Sequence, residues 1–354
     1  MANKNLNKAK KSKDDEFYTQ ISDIERELQH YWEHFRGKTV LCNCDDPYES
    51  NFFKYFALRF NQLGLKKLIC TCYNGSPVQG NELVFRFAPY DDEPEKKIAH
   101  KLVITEVNDM NGDGAVDLAD VRYLLENDKN VLSTLQTGDF RSQECIELLK
   151  EADIVVTNPP FSLFREFIGQ LMAYEKKFLI VGNQNCVTYK EVFPLLVANK
   201  VWLGYKSGDM AFKVPESYEP RETRYWQDET GQKWRSLGNI CWFTNLDHNK
   251  RHEEIDLIYR YSPEAYPCLD NYDVIYVARV DEIPCDYAGV MGVPITFLDK
   301  YNPDQFEIIG ATESEGKGFS NGLWHKESGV SQPLLNGEKK YKRIFIRNKH
   351  PKAL

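Results

Sequence analysis

The segment Ala152-Asp-Ile-Val-Val-Thr-Asn-Pro-Pro-Phe161 decides the fold of this chain. Residues 154–157 are all β-branched, which predicts a short buried strand. The two prolines that follow cannot continue the strand and stiffen the loop, because their rings fix φ. A buried strand that runs into a polar loop is typical of the ligand-binding edge of a parallel sheet. A plain turn is the alternative, since Asn-Pro-Pro is also a good turn sequence.

Strand and helix patterns alternate on both sides of this segment. A short strand is expected to end near Gly138, and apolar runs predict buried strands at 38–44, 67–73, 153–157, 177–182 and 201–204. Amphipathic patterns predict helices at 21–36, 50–63, 142–150, 162–174 and 188–198. This alternation predicts an α/β fold with a Rossmann-like, doubly wound and mostly parallel sheet, covered by helices on both faces. Residues 75–137 are acidic and less regular, and we interpret them as an insertion.

The predicted strand ends bring several side chains to one edge of this sheet. Cys44, Tyr73, Asp139 and Asn158 each follow a predicted strand. Ligands of open α/β sheets bind outside the carboxyl ends of the strands. The sequence therefore predicts one binding site that these residues share.

The loop Asn158-Pro159-Pro160-Phe161 suits chemistry on an exocyclic amine of a nucleobase. Such an amine is a weak nucleophile, because its lone pair is delocalised into the ring. The amide oxygen of Asn158 and the backbone carbonyl of Pro159 could accept the amine hydrogens while the nitrogen attacks. Phe161 offers a face on which a base turned out of a duplex can stack.

Several segments are similar to the adenine-specific DNA methyltransferases of the EcoRI type. They are residues 10–20, 42–47, 50–56, 65–69, 138–142, 152–166 and 177–185. The resemblance implies a class I methyltransferase fold with S-adenosylmethionine as cofactor. It implies methyl transfer to N6 of a flipped adenine in a specific, GAATTC-like site of double-stranded DNA. The catalytic residues that it implies are Asn158, Pro159, Pro160 and Phe161.

The same resemblance implies how the cofactor is held. Asp139 would accept a hydrogen bond from the amino group of the cofactor adenine, and Phe140 would contact its ring. Tyr18 and Thr19 would belong to a segment that closes over the methionine end. The first two strand ends would supply further contacts from Cys44, Asp45, Asp46, Pro47 and Tyr73. Many methyltransferases have a glycine-rich loop after the first strand, and this chain has no glycine there.

Basic residues gather at both ends of a chain whose net charge is −8. Residues 4–13 and 339–352 contain lysine and arginine but no acid. We expect the ends to bind duplex phosphates. The stretch 221–235 mixes arginine with aromatic residues, and could either read DNA or pack within the second region. The expected DNA contacts are Lys10, Lys11, Lys13, Arg221, Arg224, Lys233 and Arg235.

An aspartate-rich loop lies inside the expected insertion. Oxygen ligands recur there at the spacing of a calcium loop, with Gly114 at the sixth position. The twelfth position is Asp120 and not the bidentate glutamate. A surface turn is the alternative, and the expected chemistry requires no metal. The candidate calcium ligands are Asp109, Asn111, Asp113, Asp117 and Asp120.

Nine cysteines are scattered along the chain. The pairs Cys42/Cys44 and Cys70/Cys72 could form a zinc site. Packing of small apolar side chains in two buried strands is the interpretation that we favour. The sequence shows neither a signal peptide nor an apolar run of membrane-spanning length, so we expect free thiols and a cytoplasmic protein.

Three regions are expected. They are a basic flexible arm at 1–16, an S-adenosylmethionine-binding catalytic domain at 17–204 and a target-recognition region at 205–354. We expect a monomer that acts on double-stranded DNA in a prokaryotic cytoplasm, with or without a cognate restriction endonuclease. Two alternatives stay open. The same loop could methylate RNA or a protein glutamine, or the fold could bind DNA without catalysis.

Overall fold

The computed structural model of the chain describes residues 18–45, 50–72, 99–110, 116–127, 132–214, 218–314 and 317–353. The chain divides into two compact units. The first comprises Met1–Gln184 and Lys206–Leu246, and the second comprises Asn185–Tyr205 and Asp247–Leu354. Some residues of the expected sites lie outside the described part, namely Lys10, Lys11, Lys13, Asp46, Pro47, Tyr73, Asn111 and Asp113.

A large mixed sheet forms the centre of the first unit. Its strands are β1 (Tyr18–Thr19), β2 (Thr39–Asn43), β3 (Lys67–Cys72), β4 (His100–Ile104), β5 (Leu132–Thr134), β6 (Ile154–Thr157), β7 (Lys177–Asn183), β8 (Trp202–Lys213), β9 (Tyr225–Gln227) and β10 (Lys233–Thr244). The spatial order is β1-β8-β10-β7-β6-β2-β3-β4-β5, and β9 pairs with β10. β8 begins in the second unit and continues into this sheet.

The four central strands β3, β2, β6 and β7 are parallel. Their interior residues are almost all buried, which explains why they are continuous apolar runs rather than alternating ones. The outer ladders, β10 with β7 and β4 with β3, are antiparallel. The predicted α/β class with a mostly parallel core is confirmed.

Helices connect these strands where the sequence predicts them. In the first unit they are α1 (Ile21–Leu28), α2 (Trp32–Phe35), α3 (Asn51–Leu58), α4 (Phe60–Leu63), α5 (Leu118–Asn127), α6 (Gln143–Glu151) and α7 (Phe164–Ala173). The phenylalanines of α3 are buried in the core. Gly64 ends α4 in the left-handed conformation, at φ 62°, as its position predicts.

Two parts of the sheet come from segments that the sequence places elsewhere. β4 and β5 belong to the expected insertion at 75–137, yet they extend the main sheet at one edge. Residues 206–246 follow the expected boundary at 204/205, yet they form strands of the first unit. Antiparallel pairing between segments far apart in the chain has no local sequence signature, which explains both differences.

The second unit contains α8 (Phe193–Val197) and a smaller sheet. The strands of this sheet are β11 (Ile275–Tyr276), β12 (Met291–Pro294), β13 (Phe306–Ala311) and β16 (Arg343–Asn348), in the order β11-β12-β16-β13. A two-stranded pair, β14 (Leu334–Leu335) and β15 (Glu338–Lys339), is separate from it. Tyr272 and Phe345 are buried beside each other in this unit. None of the helices in the described ranges is long and apolar enough to cross a membrane.

Candidate active site

The carboxyl ends of β2 and β6 form the crevice on which the site is built. The two strands are adjacent and parallel, with Val40 opposite Ile154 and Leu41 opposite Val155. From β2 the chain continues to β3 on one side, and from β6 it continues to β7 on the other side. Such a change of direction opens a crevice between strand ends, where ligands of α/β sheets bind. Asp45 and Asn158 follow these two ends, as the sequence predicts.

A buried carboxylate joins the two strand ends. The hydroxyl of Thr157, at the end of β6, donates to Oδ2 of Asp45 at 2.6 Å. The hydroxyl of Ser50 donates to Oδ1 of the same carboxylate at 2.7 Å. Ser50 also caps α3, because its Oγ accepts from the backbone N–H groups of Phe52 and Phe53. Asp45 therefore holds the first strand end, the catalytic loop and the start of α3 in one arrangement.

Cys44 adopts a backbone conformation that is usual for glycine. Its φ is 139°, which L-residues rarely adopt. The N–H groups of Cys44 and Asp45 both donate to the carbonyl of Thr71 on β3, at 3.1 and 3.0 Å. β2 therefore ends in a backbone conformation that usually requires glycine, although no glycine is present there.

The loop Asn158-Pro159-Pro160-Phe161 leaves β6 at this edge. The side chain of Asn158 is half-buried, and its Oδ1 atom is fully covered. Both prolines are buried, and the carbonyl of Pro160 accepts from Leu163 N–H at 2.9 Å, which starts the short 3-10 helix Phe161–Leu163. A stiff loop with a covered amide oxygen suits a preorganised hydrogen-bond acceptor.

Phe161 contacts β8, a strand that is separated from β6 by β7 and β10 in the sheet. Its ring meets that of Phe212 on β8 edge to face, with the centroids 6.4 Å apart. Phe212 in turn pairs with Thr19 on β1. The carbonyl of Thr19 accepts from the amide of Asn51 at the start of α3. The structure therefore brings Thr19 near the catalytic loop, beside the helix that Ser50 caps.

Asp139 and Phe140 lie against α7, the helix that follows the catalytic loop. The guanidinium of Arg141 donates to both carboxylate oxygens of Asp139, at 2.9 and 2.7 Å, and to Glu166 at 2.8 Å. These hydrogen bonds, that to Asp139 above all, raise the pKa of Arg141. Phe140 is buried, and its ring meets Phe167 of α7 edge to face at 5.1 Å.

Glu144 is a site residue that the sequence analysis missed. Its carboxylate accepts from the backbone N–H groups of Gln136, Thr137 and Gly138 at 2.8 to 3.0 Å. Burial raises its pKa, but these donors outweigh burial, so that the pKa is lowered. Glu144 therefore fixes the turn that leads into Asp139 and Phe140. The sequence signal that could have identified Glu144 is its place in the first turn of a helix that follows a Gly-Asp turn.

The four expected DNA contacts between 221 and 235 all belong to the first unit, but their side chains have different partners. Arg224 pairs with Asp209 at 3.0 Å. Arg235 donates to the carbonyls of Thr223 and Arg224, and Lys233 donates to the carbonyl of Tyr218. Arg221 lies over the ring of Tyr218 at 5.8 Å.

The described part of the aspartate-rich loop shows carboxylates that bind backbone. Asp120 is buried and accepts from Met110 and Asp117 N–H groups at 2.7 and 2.9 Å. Asp117 accepts from Ala119 N–H at 2.7 Å, as a helix-capping residue does. Among the described residues, no group of His, Cys, Asp or Glu has the arrangement of a metal site.

The strand cysteines are packed within the sheet. Burial, together with the neighbouring Cys70 thiol, raises the pKa of Cys42 well above its usual value. Cys72 lies 3.1 Å from Nδ1 of the buried His100. A protonated, buried thiol is a small apolar side chain in effect, in line with the packing role that the sequence favours.

Comparisons with known proteins agree with this geometry. Residues 5–349 match the family described as "Adenine-specific methyltransferase EcoRI". The chain is 48% identical over 351 residues to the type II methyltransferase M.EcoRI of Escherichia coli, with 98% of this chain and 97% of the relative covered. It is 34% identical to the type II methyltransferase M.MgeORF184P of Mycoplasma genitalium, over 97% of this chain and 98% of the relative. It is 38% identical to M.MpnI of Mycoplasma pneumoniae, over 86% of this chain and 84% of the relative. No solved structure matches the chain significantly.

Proposed function

Since this chain belongs to the EcoRI family of adenine-specific methyltransferases, we propose that it transfers the methyl group of S-adenosylmethionine to N6 of an adenine in a specific site of duplex DNA. The enzyme is an adenine-specific DNA methyltransferase of the type II class to which its relatives belong. One observation carries the site assignment. The hydrogen bond between Thr157 and Asp45 places the loop with Asn158 at the crevice between β2 and β6.

The residues around this crevice fit S-adenosylmethionine. The unusual backbone of Cys44 follows β2 at the crevice, where ligands of α/β sheets bind. Asp139 is an acceptor-only carboxylate, as an amino group of the cofactor requires, and Arg141 orients it through its backbone N–H and two side-chain N–H groups. We propose that Thr19, Cys44, Asp45, Asp139 and Phe140 hold the cofactor, together with Tyr18, Asp46, Pro47 and Tyr73. When bound, the cofactor supplies the electrophilic methyl group.

The catalytic loop acts on the amine of the target base. The covered Oδ1 of Asn158 and the carbonyl of Pro159 accept the amine hydrogens, which raises electron density on the nitrogen as it becomes tetrahedral. Pro159 and Pro160 keep these acceptors in place, because buried prolines have few conformations. Phe161, in contact with Phe212, is the aromatic side chain of the loop on which the flipped adenine stacks. The chemistry proposed here uses no metal ion.

The wider setting is part of the same proposal. The basic residues Lys10, Lys11 and Lys13, with Arg221, Arg224, Lys233 and Arg235, contribute to DNA binding. The enzyme acts as a monomer in a prokaryotic cytoplasm and protects a GAATTC-like site, with or without a cognate nuclease. The aspartate-rich loop at 109–120, whether or not it binds calcium, lies outside this chemistry.

The experiment that tests this function offers tritiated S-adenosylmethionine to the enzyme with duplex DNA, RNA or protein. We expect label in DNA alone, recovered as N6-methyladenine after digestion. Asn158→Ala should lower the single-turnover rate about a hundredfold, because one preorganised acceptor is lost. Its melting temperature and its cofactor affinity should stay close to those of the wild type.

Asn61 provides a matched control, because it is an exposed asparagine on α4 of the same unit. Asn61→Ala should transfer methyl groups at the wild-type rate. Normal transfer by folded Asn158→Ala would refute the catalytic assignment, and label in RNA or protein would refute the substrate.

A further inference from the structure

Two long strands of the first unit continue past the edge of the sheet where the catalytic loop lies. β10 runs antiparallel to β7, and its residue Ile240 pairs with Asn183, the last residue of β7. Residues 233–239 of β10 therefore extend beyond the carboxyl end of the parallel strands. β8 accompanies them, since Val214, directly after β8, donates to the carbonyl of Lys233 at 3.1 Å. We call the projecting part of both strands, with β9, the arm (residues 208–214 and 218–239).

The arm contacts the proposed catalytic loop near the far end of β8. Phe212 of the arm contacts Phe161 of the catalytic loop. At about 3.4 Å per residue, residues 233–239 extend roughly 20 Å past the sheet edge. A base that reaches the catalytic loop has to be turned out of a duplex that lies over this edge. An element of this length at this edge therefore runs along the duplex beside the target base.

Polar side chains hold the arm in shape. Asp209 accepts from Arg224 at 3.0 Å and from Ser236 at 2.5 Å, which links β8 to the segment before β9 and to β10. Asp228 accepts from the indole N–H of Trp234 at 2.8 Å and from Thr230 in the turn between β9 and β10. These contacts link β8, β9 and β10 of the arm, and the buried side chains of Met210 and Phe212 belong to the core of the first unit.

Among the exposed side chains of the arm, two are suited to contact DNA. Arg221 makes no hydrogen bond or ion pair with any described residue, and its guanidinium lies over the ring of Tyr218. Trp226 stands opposite Trp234 in the β9–β10 ladder, with the two rings nearly parallel at 8° and their centroids 6.2 Å apart. The side chain of Trp226 is 41% exposed, which is unusual because tryptophan side chains are on average highly buried.

We propose that the arm binds the duplex next to the target adenine through Arg221 and Trp226, while Arg224, Lys233 and Arg235 contribute to binding by holding the shape of the arm. Arg221 contacts a phosphate, and the Trp226 indole, backed by Trp234, packs against exposed bases or sugars. The inference rests on the proposed function. It assigns a phosphate contact to Arg221 and a role in the shape of the arm to the other three basic residues, which the sequence analysis had treated alike.

The test measures duplex binding by fluorescence anisotropy over a range of salt concentrations. Arg221→Ala should reduce the slope of log affinity against log salt by about 1, because one phosphate contact is lost. Arg26→Ala is the matched control, since Arg26 is an exposed arginine on α1 of the same unit, and its slope should equal that of the wild type. Trp226→Ala should weaken binding about tenfold, and Trp226→Phe should recover most of the loss.

Single-turnover transfer at saturating DNA separates this inference from the proposed function. Both arm variants should raise the DNA concentration needed for half-maximal transfer much more than they lower the rate at saturation, because Arg221 and Trp226 bind DNA and do not touch the reacting amine. Equal salt slopes for Arg221→Ala and Arg26→Ala, or wild-type affinity in folded Trp226→Ala, would overturn the role of the arm. Absence of transfer to any DNA by the wild-type enzyme would instead overturn the proposed function.

Discussion

The buried hydroxyl of Thr157 lies directly before the proposed catalytic loop. It is fully buried at the end of β6, and its short hydrogen bond to Asp45 fixes the residue that precedes Asn158. Thr157→Val keeps the shape of the side chain and removes the donor. We expect a loss of about 1–3 kcal/mol in the free energy of unfolding, because a buried carboxylate oxygen loses its partner. We also expect a clear drop in the single-turnover rate, measured with saturating cofactor and DNA.

Thr244 supplies the control for this substitution. It is equally buried in the same sheet, and its hydroxyl donates to the carbonyl of Phe178 at 2.7 Å. It pairs with Leu179 near the start of β7, at the opposite end of the strands from the catalytic loop. Thr244→Val should therefore destabilise the enzyme and leave the transfer rate of the folded protein unchanged. Equal loss of rate in both variants would show that Thr157 acts through stability alone.

Residues with a local signature were predicted well, and residues that depend on distant partners were not. The β-branched run 154–157 and the prolines after it fix a strand and a loop by themselves. Asp45 was expected at the cofactor site. Its hydrogen bond with Thr157 was not, because the two residues are 112 positions apart and neither segment has a pattern that predicts the contact. The positive φ of Cys44 was also invisible, since the absence of glycine argued against such a turn.

At the scale of elements, α6 positions the cofactor loop through Glu144. The carboxylate at the start of this helix binds the three N–H groups before Asp139. Glu144→Ala should raise the dissociation constant for S-adenosylmethionine severalfold, because the turn with Asp139 and Phe140 becomes mobile. Isothermal titration of the cofactor measures this. Glu147→Ala on the same helix removes an exposed carboxylate paired with Lys150 and should leave the affinity unchanged.

The pH dependence of this contact follows from the lowered pKa of Glu144. A carboxyl whose pKa is lower in the folded protein stabilises it fully above the unfolded value of about 4.3. That contribution is lost as the pH falls through the folded pKa. Cofactor affinity of the wild type should therefore fall at acid pH more steeply than that of Glu144→Gln. Parallel curves for the two proteins would contradict the role of the charge.

The helices and the parallel strands were predicted because each carries its own periodic pattern. The arm was not predicted, and of β8 only the first residues, within the expected strand at 201–204, were identified as a strand. Its strands are polar and half-exposed beyond residue 205, so that their pattern resembles that of irregular chain. Pairing with β7 and β1 makes them strands, and such pairing depends on the whole fold.

At the scale of the whole molecule, His248 makes the stability of the second unit depend on pH. Burial lowers its pKa to about 4, and its Nε2 lies 3.0 Å from the carbonyl of Leu203, to which the neutral ring donates. The unfolded chain binds a proton near pH 6.5 and the folded chain does not. The contribution of His248 to the free energy of unfolding is therefore constant above about pH 6.5. It falls by up to about 3 kcal/mol as the pH decreases to about 4.

Replacement of this imidazole tests the argument. His248→Gln should melt at a lower temperature than the wild type at pH 7.5, because the hydrogen bond to Leu203 is perturbed. Between pH 6.5 and 4 its melting temperature should decline less steeply. The same substitution at the exposed His350 is the control for removal of an imidazole. An identical decline in wild type and His248→Gln would disprove the contribution of His248.

The path of the chain between the two units bears on how new target specificities arise. The chain passes from one unit to the other at 184/185, 205/206 and 246/247. Recombination that exchanged everything after residue 204 would remove β10, which lies between β8 and β7. The backbone of β7 would then be left with an open, aggregation-prone edge. We therefore expect lineages of this enzyme to diverge by substitutions within the arm and the second unit, and not by shuffling of a contiguous recognition cassette.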